Sequence, residues 1–390
     1  MNHVVDFGKD FTCIKDRCPF TCCKGWGILI DDAAYMRQKN ERGLLGARLR
    51  LFSYQNKAAE REVRFLADGR CPFFTGDRLC ELACKNREEL MPKICRVFPR
   101  RCIAYGDYRE SSLELACYEA ARLFVGRAAR TDTLGAIGFE QTDTETETYF
   151  EVPHVDAELF AFFLRDRKRV LTYWNAHPSG WGDGLLAIYE HTYVKQYVLG
   201  SEGIAAAEAL SLPLAEEQRK LIHVPDIAKT KTAYGFFPIR FLNTFIYGRL
   251  SVSCTKARNP YMYRLIRCYK KRFGSLYEAE ADVFFEEHFA QMLAREPKLV
   301  RLFHTYFFYI LMQSYLEAQA DCYLLGPVIK SLFHFECMML FVLVAYEEGT
   351  KLCEEELARI ICSVEKAVRH SASFGDAVMD EVRKLFRDNM

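Results

Sequence analysis

Cysteine is the residue type most able to do chemistry in this chain, and four cysteines lie close together near its start. Cys13, Cys18, Cys22 and Cys23 are spaced C-x4-C-x3-CC within the segment that runs from Phe11 to Trp26. Thiolates of this kind bind zinc and the irons of iron–sulfur clusters. The first ten residues contain no apolar segment typical of a secretory signal, so we expect a cytoplasmic protein with reduced thiols. The segment therefore predicts a metal or iron–sulfur site.

A second set of cysteines follows, and its spacing does not decide which metal is bound. The set comprises Cys71, Cys80, Cys84, Cys95, Cys102 and Cys117. The two C-x2-C pairs of a zinc ribbon are absent, as is the regular ferredoxin spacing. Neighbouring side chains point apart in extended chain, so Cys22 and Cys23 are not expected to bind one ion together. Spacing alone leaves three interpretations open: an iron–sulfur cluster, a structural zinc, and reduced thiols without metal.

The six later cysteines show no ligand-like spacing. Because free cysteine often behaves as a small hydrophobic side chain, we expect them to be buried core residues. They are Cys254, Cys268, Cys322, Cys337, Cys353 and Cys362.

The composition excludes several classes of protein. Of 390 residues, 50% are hydrophobic, which is enough for a substantial core and argues against global disorder. The 53 basic residues are balanced by 52 acidic ones, so there is no basic excess of the kind that nucleic-acid binding requires. The most apolar late stretch, 332–346, is shorter than the roughly 20 residues of a membrane span. We therefore expect no nucleic-acid partner and no membrane, and we interpret this stretch as a buried helix.

Hydrophobic periodicity divides the chain into unequal parts. Residues 1–128 are predicted to form a cysteine-rich, metal-binding or iron–sulfur domain with little strand. The polar, threonine-rich region 129–152 is predicted to be a linker or an edge segment. From 153 to 390 apolar residues recur at helical spacing, with central helices expected over 299–317 and 327–346. The fold class is therefore mainly α, with an all-α domain after the cysteine-rich one.

The two cysteine blocks together resemble the flagellin lysine-N-methylase family. The first block reads Phe11-x-Cys-x4-Cys-x3-Cys-Cys-x-Gly-Trp-x-Ile-x-Ile-Asp-x3-Tyr35. The second contains Cys71-Pro-Phe, Leu79-Cys80, Cys95-Arg-x-Phe-Pro-Arg100 and the segment 110–122. The resemblance covers residues 11–125, and beyond them it rests on length and a helical tail.

The resemblance implies an enzyme that methylates lysine side chains of a protein substrate, flagellin, with S-adenosylmethionine and a [4Fe–4S] cluster. It places Cys84 and Cys102 outside the family pattern. The cysteines that fall on recurring family positions, and are therefore the predicted metal ligands, are Cys13, Cys18, Cys22, Cys23, Cys71, Cys80, Cys95 and Cys117. Eight thiols exceed the four that one cubane uses, so the ligands are not individually assigned.

The binding site for the methyl donor is not marked by a familiar nucleotide motif. The chain lacks the glycine-rich strand-to-helix turn used by common methyltransferases. Arg96 and Arg100 are predicted to bind the donor, because a guanidinium grips a carboxylate through two hydrogen bonds. Trp26 is predicted to stack on a ligand or to pack over the cluster. The substrate segment is expected in a groove between the two parts of the chain.

A rival hypothesis from a different class is a non-enzymatic adaptor or metal-handling protein that is stabilised by zinc or iron. Nothing in the cysteine spacing distinguishes it from the enzyme.

Overall fold

The computed structural model describes residues 2–24, 27–76, 79–130, 137–143, 147–178, 180–220, 233–274, 278–369, 377–380 and 382. The N-terminal part (residues 1–152) contains every strand that these residues form. The strands are β1 Asn2–Val5, β2 Ser53–Gln55, β3 Arg61–Val63, β4 Arg100–Tyr105, β5 Tyr108–Leu113, β6 Phe139–Thr142 and β7 Phe150–Glu151.

Five of these strands form one mixed sheet in the order β6-β1-β5-β4-β7. β4 and β5 form an antiparallel hairpin whose turn includes Gly106, at φ +61°, a conformation that favours glycine. β1 runs parallel to β5, and β7 runs parallel to β4. β2 and β3 pair separately as a short antiparallel ribbon.

The expectation of little strand in the N-terminal part is therefore wrong. The hairpin was missed because its strands do not alternate between buried and exposed residues. In β4 the run Cys102–Tyr105 is buried throughout, and so is Glu110–Leu113 in β5. A strand covered on both faces lacks the period-two pattern by which strands are recognised.

Helices make up most of the chain, so the mainly α assignment is confirmed, and residues 153–390 form no strand where they are described. The helices are α1 Asp32–Asn40, α2 Gly43–Leu51, α3 Glu81–Cys84, α4 Lys93–Val97, α5 Tyr118–Arg130, α6 Ala157–Ala176, α7 Trp181–Ser201, α8 Ile204–Glu208, α9 Glu216–Arg219, α10 Ile239–Phe245, α11 Ser251–Ser253, α12 Pro260–Phe273, α13 Glu278–Arg295, α14 Lys298–Ser314, α15 Leu325–Glu347 and α16 Glu354–Val368.

Two apolar cores hold the molecule together. The larger one is built around α14 and α15, and it includes residues of the mixed sheet such as Val5, Ile103 and Leu113. The smaller one lies under the cysteine-bearing loops between Ile28 and Met91. The sheet therefore shares its core with the helical part (residues 153–390). The region 129–152 supplies β6 and β7, the two edges of the sheet; the domain limits themselves stay a prediction.

α15 is the helix that, within the described ranges, has the length and hydropathy of a membrane span. In this fold 89% of its apolar window is buried inside the protein. It contacts α14, α16, α7 and α12, and its apolar character is satisfied by these neighbours.

Candidate functional site

A cavity of about 560 Å³ lies where the small core of the N-terminal part meets the helical part. Its apolar lining includes Ile28, Leu49, Phe73 and Ile94. Its polar lining from the helical part comprises Ser314, Glu317, Lys330, His334 and Arg369. The cavity therefore lies between the two parts of the chain, where we expected a groove.

Five of the eight predicted metal ligands line this cavity: Cys22, Cys23, Cys71, Cys80 and Cys95. The loops that carry them are joined by backbone hydrogen bonds, such as the one of 2.8 Å from Cys71 N to Cys23 O. Arg48 ties the Cys71 loop to the start of α3, directly after Cys80, because it donates to the carbonyl oxygen of Pro72 and to the carboxylate of Glu81, each at 2.8 Å. Distant sequence segments thus bring their thiols to one wall.

Asp31 helps to position Cys95, the last of the five cysteines on the cavity wall. Its carboxylate accepts a hydrogen bond of 2.9 Å from Ala34 N, and so caps α1. The second carboxylate oxygen accepts a hydrogen bond of 2.6 Å from Lys93 N, the first residue of α4. Cys95 lies in this short helix, so one side chain orients both the cap of α1 and the helix that carries a predicted ligand.

The thiols on the cavity wall differ in how readily they ionise. A hydrogen bond from Cys23 lowers the pKa of Cys22 to about 7; burial opposes this shift, and the charge of Lys366 adds to it. Burial raises the pKa of Cys71 to about 11 and also raises that of Cys95. With its lowered pKa, Cys22 is the thiol of this wall most available as a thiolate at neutral pH.

A second group of thiols lies on the side of the cysteine loop that faces α16. Burial raises the pKa of Cys117 to about 12, and the nearby Cys18 and Cys22 thiols contribute. Burial raises the pKa of Cys362, and the nearby Cys117 and Cys18 thiols raise it further. The Cys362 thiol donates a hydrogen bond of 3.2 Å to Ala116 O. Sequence reasoning set Cys362 aside as a core residue; it is buried, but it lies beside predicted ligands.

The other cysteines are more scattered. Cys13 and Cys84 are exposed, and Cys102 is buried in β4. Of the later cysteines, Cys254 and Cys337 are buried as expected, whereas Cys322 is exposed.

The donor atoms that the cavity wall offers to a metal are mainly thiols. Among the described residues no three His, Cys, Asp or Glu side chains are grouped closely enough to hold a single metal ion. Five thiols nevertheless share the wall of one cavity. Thiols are the donors that iron–sulfur clusters and structural zinc require. The residues thus fit the chemistry of a thiolate-bound centre, while their side chains line the cavity instead of meeting at one point.

The predicted donor-binding residues occupy three different positions. Arg100 lines the cavity, donates a hydrogen bond of 3.1 Å to Phe11 O and places its guanidinium 5.0 Å from the centre of the Phe11 ring. Arg96 does not line it, and pairs with Glu147 at 3.0 Å. Trp26 lies outside the described residues. Their role in binding a methyl donor stays a prediction.

Sequence reasoning missed a network of charges on the cavity wall. Arg101 pairs with Glu317 at 2.7 Å and with Glu114 at 3.3 Å, joining β4 to the helical part. Arg369, at the end of α16, hydrogen-bonds to Gln313 at 2.5 Å. These residues come from separate elements and form no local motif, so only the fold brings them together.

The fold and the cavity define a mainly α protein with a cysteine-lined internal site. The chain belongs to the flagellin lysine-N-methylase family, as its sequence motifs indicated. Over 119 residues it is 30% identical to the flagellar biosynthetic protein FliU of Salmonella muenchen, a match that covers 29% of this chain and 70% of that protein.

The same extent of similarity links it to two lysine-N-methylases, from Salmonella choleraesuis and Salmonella typhimurium. Each is 30% identical over 119 residues, and each match covers 29% of both chains. The similarity therefore spans less than a third of those two relatives. No family model matches the chain. No solved structure matches it either.

Proposed function

We propose that this protein transfers methyl groups from S-adenosylmethionine to lysine side chains of a protein substrate, with flagellin as the first substrate to test. The observation that carries the proposal is the cavity between the two parts of the chain, which combines five thiols with a polar wall in a relative of lysine-N-methylases. Its volume of about 560 Å³ is within the range of small-molecule sites.

The residues that would hold a [4Fe–4S] cluster are drawn from the five thiols of the cavity wall. When bound, such a cluster would supply redox-active and Lewis-acidic iron. Zinc bound by the same thiols is the alternative, and its role would be structural.

The transfer itself needs a neutral lysine amine. The amine nitrogen attacks the methyl carbon as the bond between that carbon and the sulfonium sulfur breaks, which leaves S-adenosylhomocysteine and one proton. An apolar wall favours the neutral amine because desolvation lowers the pKa of lysine. Ile28, Leu49 and Phe73 provide such a wall. Glu114 and Glu317 are carboxylates on the same cavity that can receive the proton. Holding donor and amine together supplies the remaining acceleration.

A metal-stabilised protein without catalytic activity is the second candidate, and the thiol-lined wall favours it equally well. The two functions are separated by incubating anaerobically purified protein with flagellin and isotopically labelled S-adenosylmethionine. The visible absorbance of the protein distinguishes iron–sulfur from zinc, and mass spectrometry locates the label.

We expect label on flagellin lysines, lost in the double variant Cys71→Ala with Cys95→Ala. Cys84→Ala is the matched control, because Cys84 is exposed and does not line the cavity. Metal-loaded protein that labels neither flagellin nor any protein of the source cell would exclude the enzyme and leave the adaptor.

A further inference from the structure

Lys330 is a cation on the cavity wall that the proposed chemistry does not yet use. It lies on α15, one helical turn before His334, and both residues line the cavity from the helical part. Most of α15 is buried, whereas Lys330 is half-buried. Within the part of the chain that the structure describes, its ammonium makes no hydrogen bond or ion pair.

The charges on the cavity wall do not balance. Four cationic side chains line it, Arg100, Arg101, Lys330 and Arg369, against two carboxylates, Glu114 and Glu317. Among the Arg, Lys and Glu side chains of the lining, the positive charges therefore exceed the negative ones by two.

The ion pairs show where this excess resides. Arg101 lies between both carboxylates, and Arg369 is 3.9 Å from Glu114 and 3.6 Å from Glu365. Arg100 and Lys330 have no carboxylate partner among the described residues. Arg100 contacts the carbonyl oxygen and the ring of Phe11. Lys330 is therefore the lining cation with the fewest compensating contacts among the described residues.

A ligand suited to this cavity carries one anionic group and an apolar or aromatic body. The thiol wall comes from the N-terminal part, and Lys330 comes from the opposite part of the chain. An anionic group on the ligand complements the ammonium of Lys330, and an apolar body complements the apolar lining of the cavity.

We propose that Lys330 binds the carboxylate of the methyl donor. This assignment rests on the proposed function, because it takes S-adenosylmethionine as the ligand. Lys330 is then a specificity residue for the amino-acid end of the donor, contributed by a helix that lies far from both cysteine blocks in sequence.

The test compares two ligands that differ only in this group. S-adenosylhomocysteine carries the carboxylate, and its decarboxylated analogue keeps the amine and the nucleoside. Calorimetry on anaerobically purified, metal-loaded protein measures both affinities in the wild type and in Lys330→Gln. A charged hydrogen bond corresponds to about a ten- to hundredfold change in affinity.

We expect Lys330→Gln to lower the affinity for S-adenosylhomocysteine by about this factor and to leave the affinity for the decarboxylated analogue unchanged. Lys330→Arg, which keeps the positive charge, should retain most of the affinity. Lys351→Gln is the matched control, since Lys351 is exposed and does not line the cavity.

Two results would overturn the assignment: an undiminished preference for the carboxylate in Lys330→Gln, or an equal loss for both ligands, which would show that Lys330 only shapes the cavity. A wild-type protein that binds neither nucleoside would refute the proposed function and the assignment with it. A wild type that binds S-adenosylhomocysteine alongside an unaffected Lys330→Gln variant would refute the assignment alone.

Discussion

The side chain of Lys366 joins the two ends of the chain. Its Nζ, on α16, donates a hydrogen bond of 2.8 Å to the carbonyl oxygen of Thr21, 345 residues away. Thr21 directly precedes Cys22, so α16 holds the first cysteine block in place. The positive charge of Lys366 also lies close enough to favour the Cys22 thiolate. The helical part therefore contributes to the electrostatics of the thiol site.

Replacing this lysine should make Cys22 less reactive. The hydrogen bond from Cys23 and the charge of Lys366 together lower the pKa of Cys22 to about 7. Lys366→Met removes the charge that favours the thiolate, so the pKa of Cys22 should rise. Alkylation of Cys22 in metal-free protein, followed by mass spectrometry across a pH series, should show a midpoint near 7 in the wild type and a higher one in the variant. The control variant Lys351→Met should show the wild-type pH profile. The same wild-type profile in Lys366→Met would contradict this account.

The cysteine loops should depend on bound metal for their stability. In the double variant Cys18→Ala with Cys22→Ala we expect loss of bound iron and destabilisation of residues 1–125, because metal-binding energy is folding energy in thiolate sites. Hydrogen exchange should report lost protection in the small core around Ile28 and Leu82, and little change in α14 and α15. Full iron content in the double variant would refute the prediction.

The later cysteines provide the matched comparison. Cys322→Ala should keep all bound iron, because Cys322 is exposed and does not line the cavity. Cys362 is the informative case, since it lies beside Cys117 and Cys18. We expect Cys362→Ala to retain iron as well, and a loss there would show that α16 supplies a ligand.

The sequence predicted those features that are encoded locally. The cysteine blocks and the two central helices are each defined by neighbouring residues. The β4–β5 hairpin could not be recognised, because Cys102, Ile103 and Ala104 are all buried and give no alternation. Lys330 and Lys366 could not be assigned either, because each lies on a helix with an ordinary pattern. Their position at the site depends on how α15 and α16 pack, and no local spacing records that.

Glu336 should make the protein less stable as the pH rises. It is fully buried, and burial raises its pKa to about 8 even though Phe236 N and Phe237 N donate hydrogen bonds to it. The usual value of 4.5 applies to the unfolded chain. The folded protein therefore keeps a proton that the unfolded chain releases between these pH values. The contribution of Glu336 to stability is complete below about 4.5 and is lost as the pH rises to about 8.

The slope from one such group is at most about 1.4 kcal/mol per pH unit. Glu336→Gln keeps an acceptor oxygen for the two backbone donors and cannot ionise. Urea unfolding between pH 5 and 8 should therefore show a smaller fall in the free energy of unfolding for this variant. Glu354→Gln, at an exposed position, should behave as the wild type. Equal slopes in all three proteins would show that Glu336 is not protonated in the folded state.

A buried ion pair between α6 and α7 should be costly to break from one side. The ammonium of Lys195 hydrogen-bonds to Asp166, both residues are buried, and Tyr315 donates a further hydrogen bond of 2.5 Å to Asp166. Lys195→Met leaves a buried carboxylate without its cation, which costs about 3–5 kcal/mol. The double variant Lys195→Met with Asp166→Asn should cost less than the sum of the single changes. Additive losses in urea unfolding would mean that the two charges are not coupled.

Replacing Arg100 tests whether a guanidinium of the N-terminal part also binds the carboxylate of the methyl donor. Its hydrogen bond to Phe11 O and its place over the Phe11 ring are structural contacts, yet the residue also lines the cavity. Arg100→Lys keeps the charge but loses the flat, two-pronged geometry that binds carboxylates. We expect this variant to bind S-adenosylmethionine about ten- to hundredfold more weakly, as measured by calorimetry, while the absorbance of the metal centre stays the same. A lower melting temperature with unchanged donor affinity would instead assign Arg100 to the anchoring of Phe11, and would leave Lys330 as the cation that binds the donor.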